Sequence, residues 1–173
     1  MDSKKHPVWD VYDLFRTARL NVKYYSSRLS ALQKCNFWLE IILAISAPSS
    51  AIAGFWFWKY PIGALIWKGF AVVAAFISII KPFLKLSDRI QKFEETLTGY
   101  RTLDNDLQSI VSKIKSEKTY NEKIKLEVEK AFDRKKAIST NEPEIRENHK
   151  LKTKCEAEVL QELPHNSFFV PEV

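Results

Sequence analysis

Residues Phe37 to Leu86 read FWLEIILAISAPSSAIAGFWFWKYPIGALIWKGFAVVAAFISIIKPFLKL, and the fold depends on how this stretch divides. Two apolar runs, residues 37–58 and 62–80, each approach the ~20 residues a helix needs to cross a ~30 Å hydrocarbon core. Only Lys59, Tyr60 and Pro61 separate them, so the second run must turn straight back beside the first. The expectation is a transmembrane hairpin, with helix 1 over 37–58 and helix 2 over 62–80. Trp56, Trp58 and Tyr60 cluster at the turn and Trp38 marks the other end, matching aromatic belts at two membrane–water boundaries. A buried hairpin in a soluble protein would need a polar face on each helix, and neither run has one.

The flanks hide this segment in whole-chain averages: mean hydropathy is −0.24 and 28% of residues are charged. A hydrophilic arm precedes Phe37 instead of a short basic start with an apolar core and cleavage site, so the first span reads as an uncleaved anchor. The arm carries Lys4, Lys5, Arg16, Arg19, Lys23, Arg28 and Lys34. Lys81, Lys85, Arg89 and Lys92 follow the second run, while the turn offers Lys59, with Lys68 further in. Under the positive-inside rule both termini of a multi-pass protein face the cytoplasm. The net charge of +6 then has a topological origin. Direct nucleic-acid binding is disfavoured, because the basic residues are interleaved with Asp and Glu rather than gathered on a stripe. The juxtamembrane lysines and arginines also suit anionic lipid head groups. Cys35 and Cys155 are isolated, and His6, His149 and His165 are scattered, so neither a disulfide nor a metal centre is expected.

The flanking chain is helix-forming. From Val8, the positions Val11, Phe15, Ala18, Val22, Tyr25, Leu29 and Leu32 alternate spacings of four and three, an a/d seam on an amphipathic helix over 8–36. A second seam, Ile90, Phe93, Leu97, Tyr100, Asp104, Leu107, Val111 and Ile114, begins a helical stalk over 81–137. Asp104 is its polar, register-setting position, with Leu103 beside it as a substitute knob. Two helices leaving the membrane as neighbours should pair antiparallel, with Leu29 near Ile90, Val22 near Leu97 and Phe15 near Asp104. The same register brings Glu40 to Lys81 as an ion pair at the membrane edge. The fold class expected is therefore an all-α membrane protein: a two-helix hairpin extended into an antiparallel coiled-coil stalk, plus short C-terminal helices.

Beyond the seam, which fails at residues 116–121, a short amphipathic run carries Ile124, Val128, Ala131 and Phe132, and the basic cluster Arg134-Lys135-Lys136 is placed to end that helix. Residues 139–144 (STNEPE) read as a linker. In the last segment, 138–173, Pro143 suits the first turn of a weak helix to about Gln161. The tail from Leu163, with the pair Phe168-Phe169, is expected to be flexible, a docking element being the alternative.

Several span residues are awkward in lipid. Pro48 removes a hydrogen bond to the Ala44 carbonyl and kinks the first span. Ser46, Ser49 and Ser50 surround it and can satisfy the freed backbone, so Ser46, Pro48 and Ser50 are candidates for a polar lining. Lys68 either snorkels to the interface or faces a polar interior. Ala71, Ala75 and Ser78 form a small-residue stripe that lets another helix approach closely.

No motif for chemistry is present. The four glycines are Gly54, Gly63, Gly69 and Gly99, which cannot form a phosphate-cradling loop. No nucleophile–base constellation occurs at motif spacing, so neither an enzyme nor a cofactor is expected. The layout does resemble a family. NVKYYSSRLSALQ (Asn21–Gln33), the tight two-span hairpin and FEETLTGYRTLDNDL (Phe93–Leu107), with Phe93, Tyr100 and Leu103 at pattern positions, look like the SLATT domain over roughly residues 8–132. Members are two-transmembrane effectors of bacterial nucleotide-signalling and retron-type conflict systems. The resemblance implies a pore-forming effector that oligomerises in the inner membrane and causes growth arrest or death in abortive infection. No nucleotide sensor is recognisable in the chain, so the resemblance implies a separate trigger, such as a reverse transcriptase with its non-coding RNA or a cyclic-nucleotide synthase. The competing reading is a non-permeable two-span anchor whose stalk recruits partner proteins.

Overall fold

The computed structural model describes residues 6–45, 61–144 and 146–171. Among these the chain is all-helical: α1 (Val8–Ile45), α2 (Pro61–Leu84), α3 (Leu86–Glu117), α4 (Glu122–Thr140) and α5 (His149–Glu162), followed by a 3-10 turn, His165–Ser167. It divides into two compact units, one of Met1–Arg28 with Lys92–Val173 and one of Leu29–Gln91.

The helix ends have local causes. No glycine or proline interrupts the sequence from Val8 to Ile45, so α1 runs on through the expected boundary at residue 36. Pro82 lies inside α2 and cannot donate to the Ser78 carbonyl. The helix breaks three residues later at Lys85, whose φ is +44°. Lys118, after α3, has φ +51°. Each left-handed non-glycine costs about 1–2 kcal/mol, so packing must hold both in place. Asn121 then caps α4 by accepting from the Ile124 N–H at 2.9 Å, and Asn148 caps α5 by accepting from Leu151 at 3.2 Å. Such caps typically contribute about 1 kcal/mol. They set boundaries that differ from expectation: α4 continues past Arg134-Lys135-Lys136 to Thr140, and α5 begins at His149 rather than near Pro143.

In the first unit α1 and α3 run antiparallel. Tyr25 lies 5.9 Å from the Phe93 ring and 5.7 Å from Tyr100, its ring stacked nearly parallel to the latter. Asp104 meets Arg19 at 3.0 Å, one turn along α1 from the Phe15 expected opposite it. A buried carboxylate needs a cation or donor, which a phenyl ring cannot supply. Burial raises the Asp104 pKa above its ordinary value, and Arg19 only partly offsets this.

Each helix is used on two faces. The α3 seam from Phe93 to Ile114 is buried, and so are Thr96, Leu103 and Ile110 beside it. Ile124, Val128 and Ala131 of α4 are buried too, and α4 is tied to α3 by Lys113–Glu127 at 2.7 Å and by Arg134–Asp106. Phe132, expected on the packed face, is 41% exposed, because it sits one residue round the helix from Ala131. Gly99 gives α4 its close approach: a Cβ there would lie 3.0 Å from Ile138 Cγ1.

The other side of α1 carries the C-terminal segment. Cys155 and Val159 of α5 are buried, and Lys23 pairs with Glu158 at 3.1 Å and Glu162 at 2.7 Å. The tail docks as well. Phe168 stacks on Tyr12 with centroids 4.0 Å apart, under the Arg16 guanidinium at 4.8 Å. Arg16 donates to the Leu163 carbonyl at 2.7 and 3.1 Å, and the Tyr12 hydroxyl donates to the Phe169 carbonyl at 2.6 Å. Of the two readings of the tail, the structure has the docked one.

Candidate membrane face and tyrosine clamp

The second unit inverts the usual polarity rule. Among its described residues only Leu29, Ala74 and Leu86 are buried apolar side chains. Ile62, Leu65, Val72, Phe76, Ile79 and Phe83 of α2 are each more than 60% exposed. Their spacing places them along one side of the helix, and Phe70, Val73 and Leu84 widen the surface. The stripe Ala74, Ile77 and Lys81 is the less exposed side, and Lys81 Nζ reaches Glu40 Oε1 of α1 at 3.4 Å. Asn36 also donates to that Glu40 oxygen, at 3.0 Å. The expected Glu40–Lys81 pair is therefore formed. Glu40 is 56% exposed, so in water the pair would contribute little.

The small stripe Ala71, Ala75 and Ser78 is exposed and unused within the unit. Ser78 turns its hydroxyl inward to the Ala74 carbonyl at 2.8 Å. Lys68 is exposed. Ser46, Pro48 and Ser50 lie outside the described residues, as does most of the expected first span. Among the described residues no single helix is long and apolar enough to cross a membrane. The pair Lys68–Leu84 and Leu86–Glu117, bent by 45°, meets that length and composition only together.

The first unit contains a polar constellation that the seam reading missed. The Tyr24 hydroxyl donates to Glu144 Oε2 at 2.5 Å and accepts the Asn148 N–H at 2.8 Å, and Arg28 pairs with the same carboxylate. From α3, the Tyr100 hydroxyl donates to Glu142 Oε1 at 2.6 Å and lies 3.4 Å from Ser139 Oγ. Two tyrosines on two helices thus clamp Glu142 and Glu144 of the α4–α5 connector. Tyr24 and Tyr25 meet edge to face at 5.3 Å, and these adjacent residues serve neighbouring faces of α1: Tyr25 enters the α1–α3 seam and Tyr24 holds the connector.

Burial is the main cause raising the pKa of all three tyrosines, reinforced by the Glu144 carboxylate at Tyr24 and by Glu142 at Tyr25 and Tyr100. They act as neutral hydrogen-bonding and packing groups. The signal for the clamp was in the sequence, in the doubled tyrosine and the paired glutamates of NEPE. A heptad reading assigns only one residue of such a pair. Of the expected seam, Leu29, Leu97, Tyr100 and Asp104 are buried and Val22 is half-buried.

Among the described residues no three His, Cys, Asp or Glu side chains are grouped to hold a metal ion. No protein-family model matches the chain, and neither a curated protein nor a solved structure is significantly similar to it.

Proposed function

We propose that the chain is a two-span effector of the bacterial inner membrane, with both termini cytoplasmic. In this reading it oligomerises to permeabilise the membrane in antiviral defence once a separate sensor or inhibitor releases it. The observation that carries the membrane assignment is the exposed α2 surface. Six large apolar side chains left in water forgo about 2 kcal/mol each, on the order of 10 kcal/mol together. That is comparable to the whole stability of a typical domain. Such a surface calls for a cover, and lipid is the cover we propose, in keeping with the apolar run of residues 62–80, which approaches the ~20 residues of a span.

A single hairpin is too small to enclose an aqueous path, so permeation requires several copies round an axis. The unused Ala71, Ala75 and Ser78 stripe supports close packing between copies. Ser46, Ser50 and Lys68 are the proposed polar lining, and α1 with α3 forms the antiparallel stalk. The defence context rests on the SLATT resemblance, as does the partner class, a reverse transcriptase with its RNA or a cyclic-nucleotide synthase.

The test is controlled expression at matched membrane levels, read by a potential-sensitive dye and propidium entry. Wild type should depolarise cells when unpartnered or triggered. Ala75→Leu should insert normally and lose toxicity, because it adds only apolar bulk to the packing stripe. If wild type leaves the membrane polarised under every trigger supplied, the chain is instead an anchor whose stalk recruits partners.

A further inference from the structure

We infer that the membrane-proximal unit carries a basic collar that binds anionic phospholipid head groups through Lys34, Lys85 and Arg89. The inference rests on the membrane reading above and adds a lipid preference to it.

The two units differ in charge balance. In the first unit some basic side chains pair with carboxylates, among them Arg19 with Asp104, Arg28 with Glu144, Lys113 with Glu127 and Lys152 with Glu147, and others stand alone. The second unit, Leu29–Gln91, holds six basic residues and only two acidic ones, Glu40 and Asp88, and so carries four of the chain's six net positive charges. Glu40 is taken by Lys81. Among the described residues no carboxylate lies within 4 Å of Lys34, Lys85 or Arg89, and all three are exposed.

Their position singles them out. The exposed apolar surface of α2 ends at Phe83 (81% exposed) and Leu84. The next residue is Lys85, at the left-handed break, and its carbonyl accepts the Arg89 N–H at 3.0 Å. That bond makes Arg89 the first turn after the break, so two cations follow within five residues of Leu84. On α1, Lys34 stands one turn before the exposed Phe37-Trp38 pair, the equivalent place on the other helix. Orientation by positive-inside charge requires basic residues on this flank, but not that they be left without counter-ions. Head-group phosphates at that depth supply the missing charge.

The interaction is electrostatic. It contributes about fivefold per basic side chain near an anionic surface and is screened within about 3 Å at 1 M salt.

The test uses the full chain reconstituted in phosphatidylcholine vesicles doped with brominated phosphatidylcholine or brominated phosphatidylglycerol, with quenching of tryptophan fluorescence as the readout. The expected result is stronger quenching by the anionic lipid at equal mole fraction. That preference should collapse at 1 M salt and be lost in the Lys34→Gln, Lys85→Gln, Arg89→Gln triple variant, while quenching by brominated phosphatidylcholine is unchanged. Equal quenching by both lipids in wild type overturns the collar and leaves the membrane reading standing. Absence of quenching by either lipid overturns the membrane reading itself.

Discussion

Replacing Glu144 is the sharpest test of how the C-terminal segment is held. Its carboxylate is 10% exposed, accepts the Tyr24 hydroxyl at 2.5 Å and pairs with Arg28, which is 29% exposed. A hydrogen bond to a charged group contributes about 1.5–3 kcal/mol when its partner cannot be replaced by water. Arg28 is open enough for water to recover part of its share, although its Nε already lacks a hydrogen-bond partner. Glu144→Ala should therefore cost about 3 kcal/mol. Glu144→Gln keeps an acceptor for Tyr24 and loses the ion pair, so it should cost about half as much. Because Tyr24 also accepts the Asn148 N–H that precedes α5, the loss should appear as local opening of residues 142–152.

Hydrogen exchange of the full chain in detergent, followed by mass spectrometry, measures this directly. With about 1.4 kcal/mol per factor of ten, exchange in that segment should accelerate on the order of a hundredfold in Glu144→Ala. The core of α4 at Ile124 and Val128 should keep wild-type rates. Tyr24→Phe combined with Glu144→Ala should be less than additive, since both changes remove the same bond. Acceleration below threefold, or spread evenly over α3 and α4, would refute the clamp as a local fastening.

Three further outcomes follow from the packing. The raised pKa of Asp104 means that the native state holds its proton more tightly than the unfolded chain. Its contribution is thus present below the ordinary carboxylate pKa and lost as pH rises through the raised one; denaturant titrations at stepped pH should show that fall in wild type and a flatter profile in Asp104→Asn. Gly99→Ala gains about 1 kcal/mol of helix propensity but drives a methyl to 3.0 Å from Ile138, where overpacking costs about 1–3 kcal/mol. The net effect should be destabilising by about 1 kcal/mol, and Gly99→Ala should become stabilising when tested in an Ile138→Ala background. Phe168→Ala removes the ring between Tyr12 and Arg16, worth about 1–2 kcal/mol, so limited proteolysis should cut the tail first; an unchanged cleavage order would mean that the carbonyl contacts of Arg16 and Tyr12 suffice.

What could be read in advance was periodic. The a/d spacings on α1 and α3 located the buried residues of their shared seam, and the proximity of two spans located Glu40 beside Lys81. A seven-residue pattern describes one contact face, however, and α1 and α3 each have two. Tyr12 and Tyr24 on α1 meet the tail and the α4–α5 connector, and Thr96, Leu103 and Ile110 on α3 are buried beside its seam. Their spacing becomes meaningful only once a third helix is known to arrive there. Near Asp104 periodicity counts turns without naming the partner: a buried carboxylate needs a cation, and Arg19, whose guanidinium lies 5.5 Å from the Phe15 ring, supplies it. The tail carried too little pattern to choose between docking and disorder, because its hold depends on two backbone carbonyls and one ring.

The clamp also separates the two functional readings. The segments that carry the family resemblance, Asn21–Gln33 and Phe93–Leu107, meet through Tyr25, Phe93 and Tyr100, and from that cluster Tyr24 and Tyr100 reach the connector carboxylates. A trigger acting on an effector must change something the membrane helices feel, and α1 and α3 are the helices shared by both units. Releasing both glutamates would cost about 5 kcal/mol on the estimates above, whereas a partner binding at micromolar affinity supplies about 8 kcal/mol. Such a partner can open the connector and still bind. An effector of this kind should therefore show faster exchange at residues 142–152 when its trigger is present, with Glu144→Ala toxic at lower expression than wild type. A scaffold has no reason to open: partner binding should protect the same segment, and Glu144→Ala should weaken recruitment without altering membrane potential.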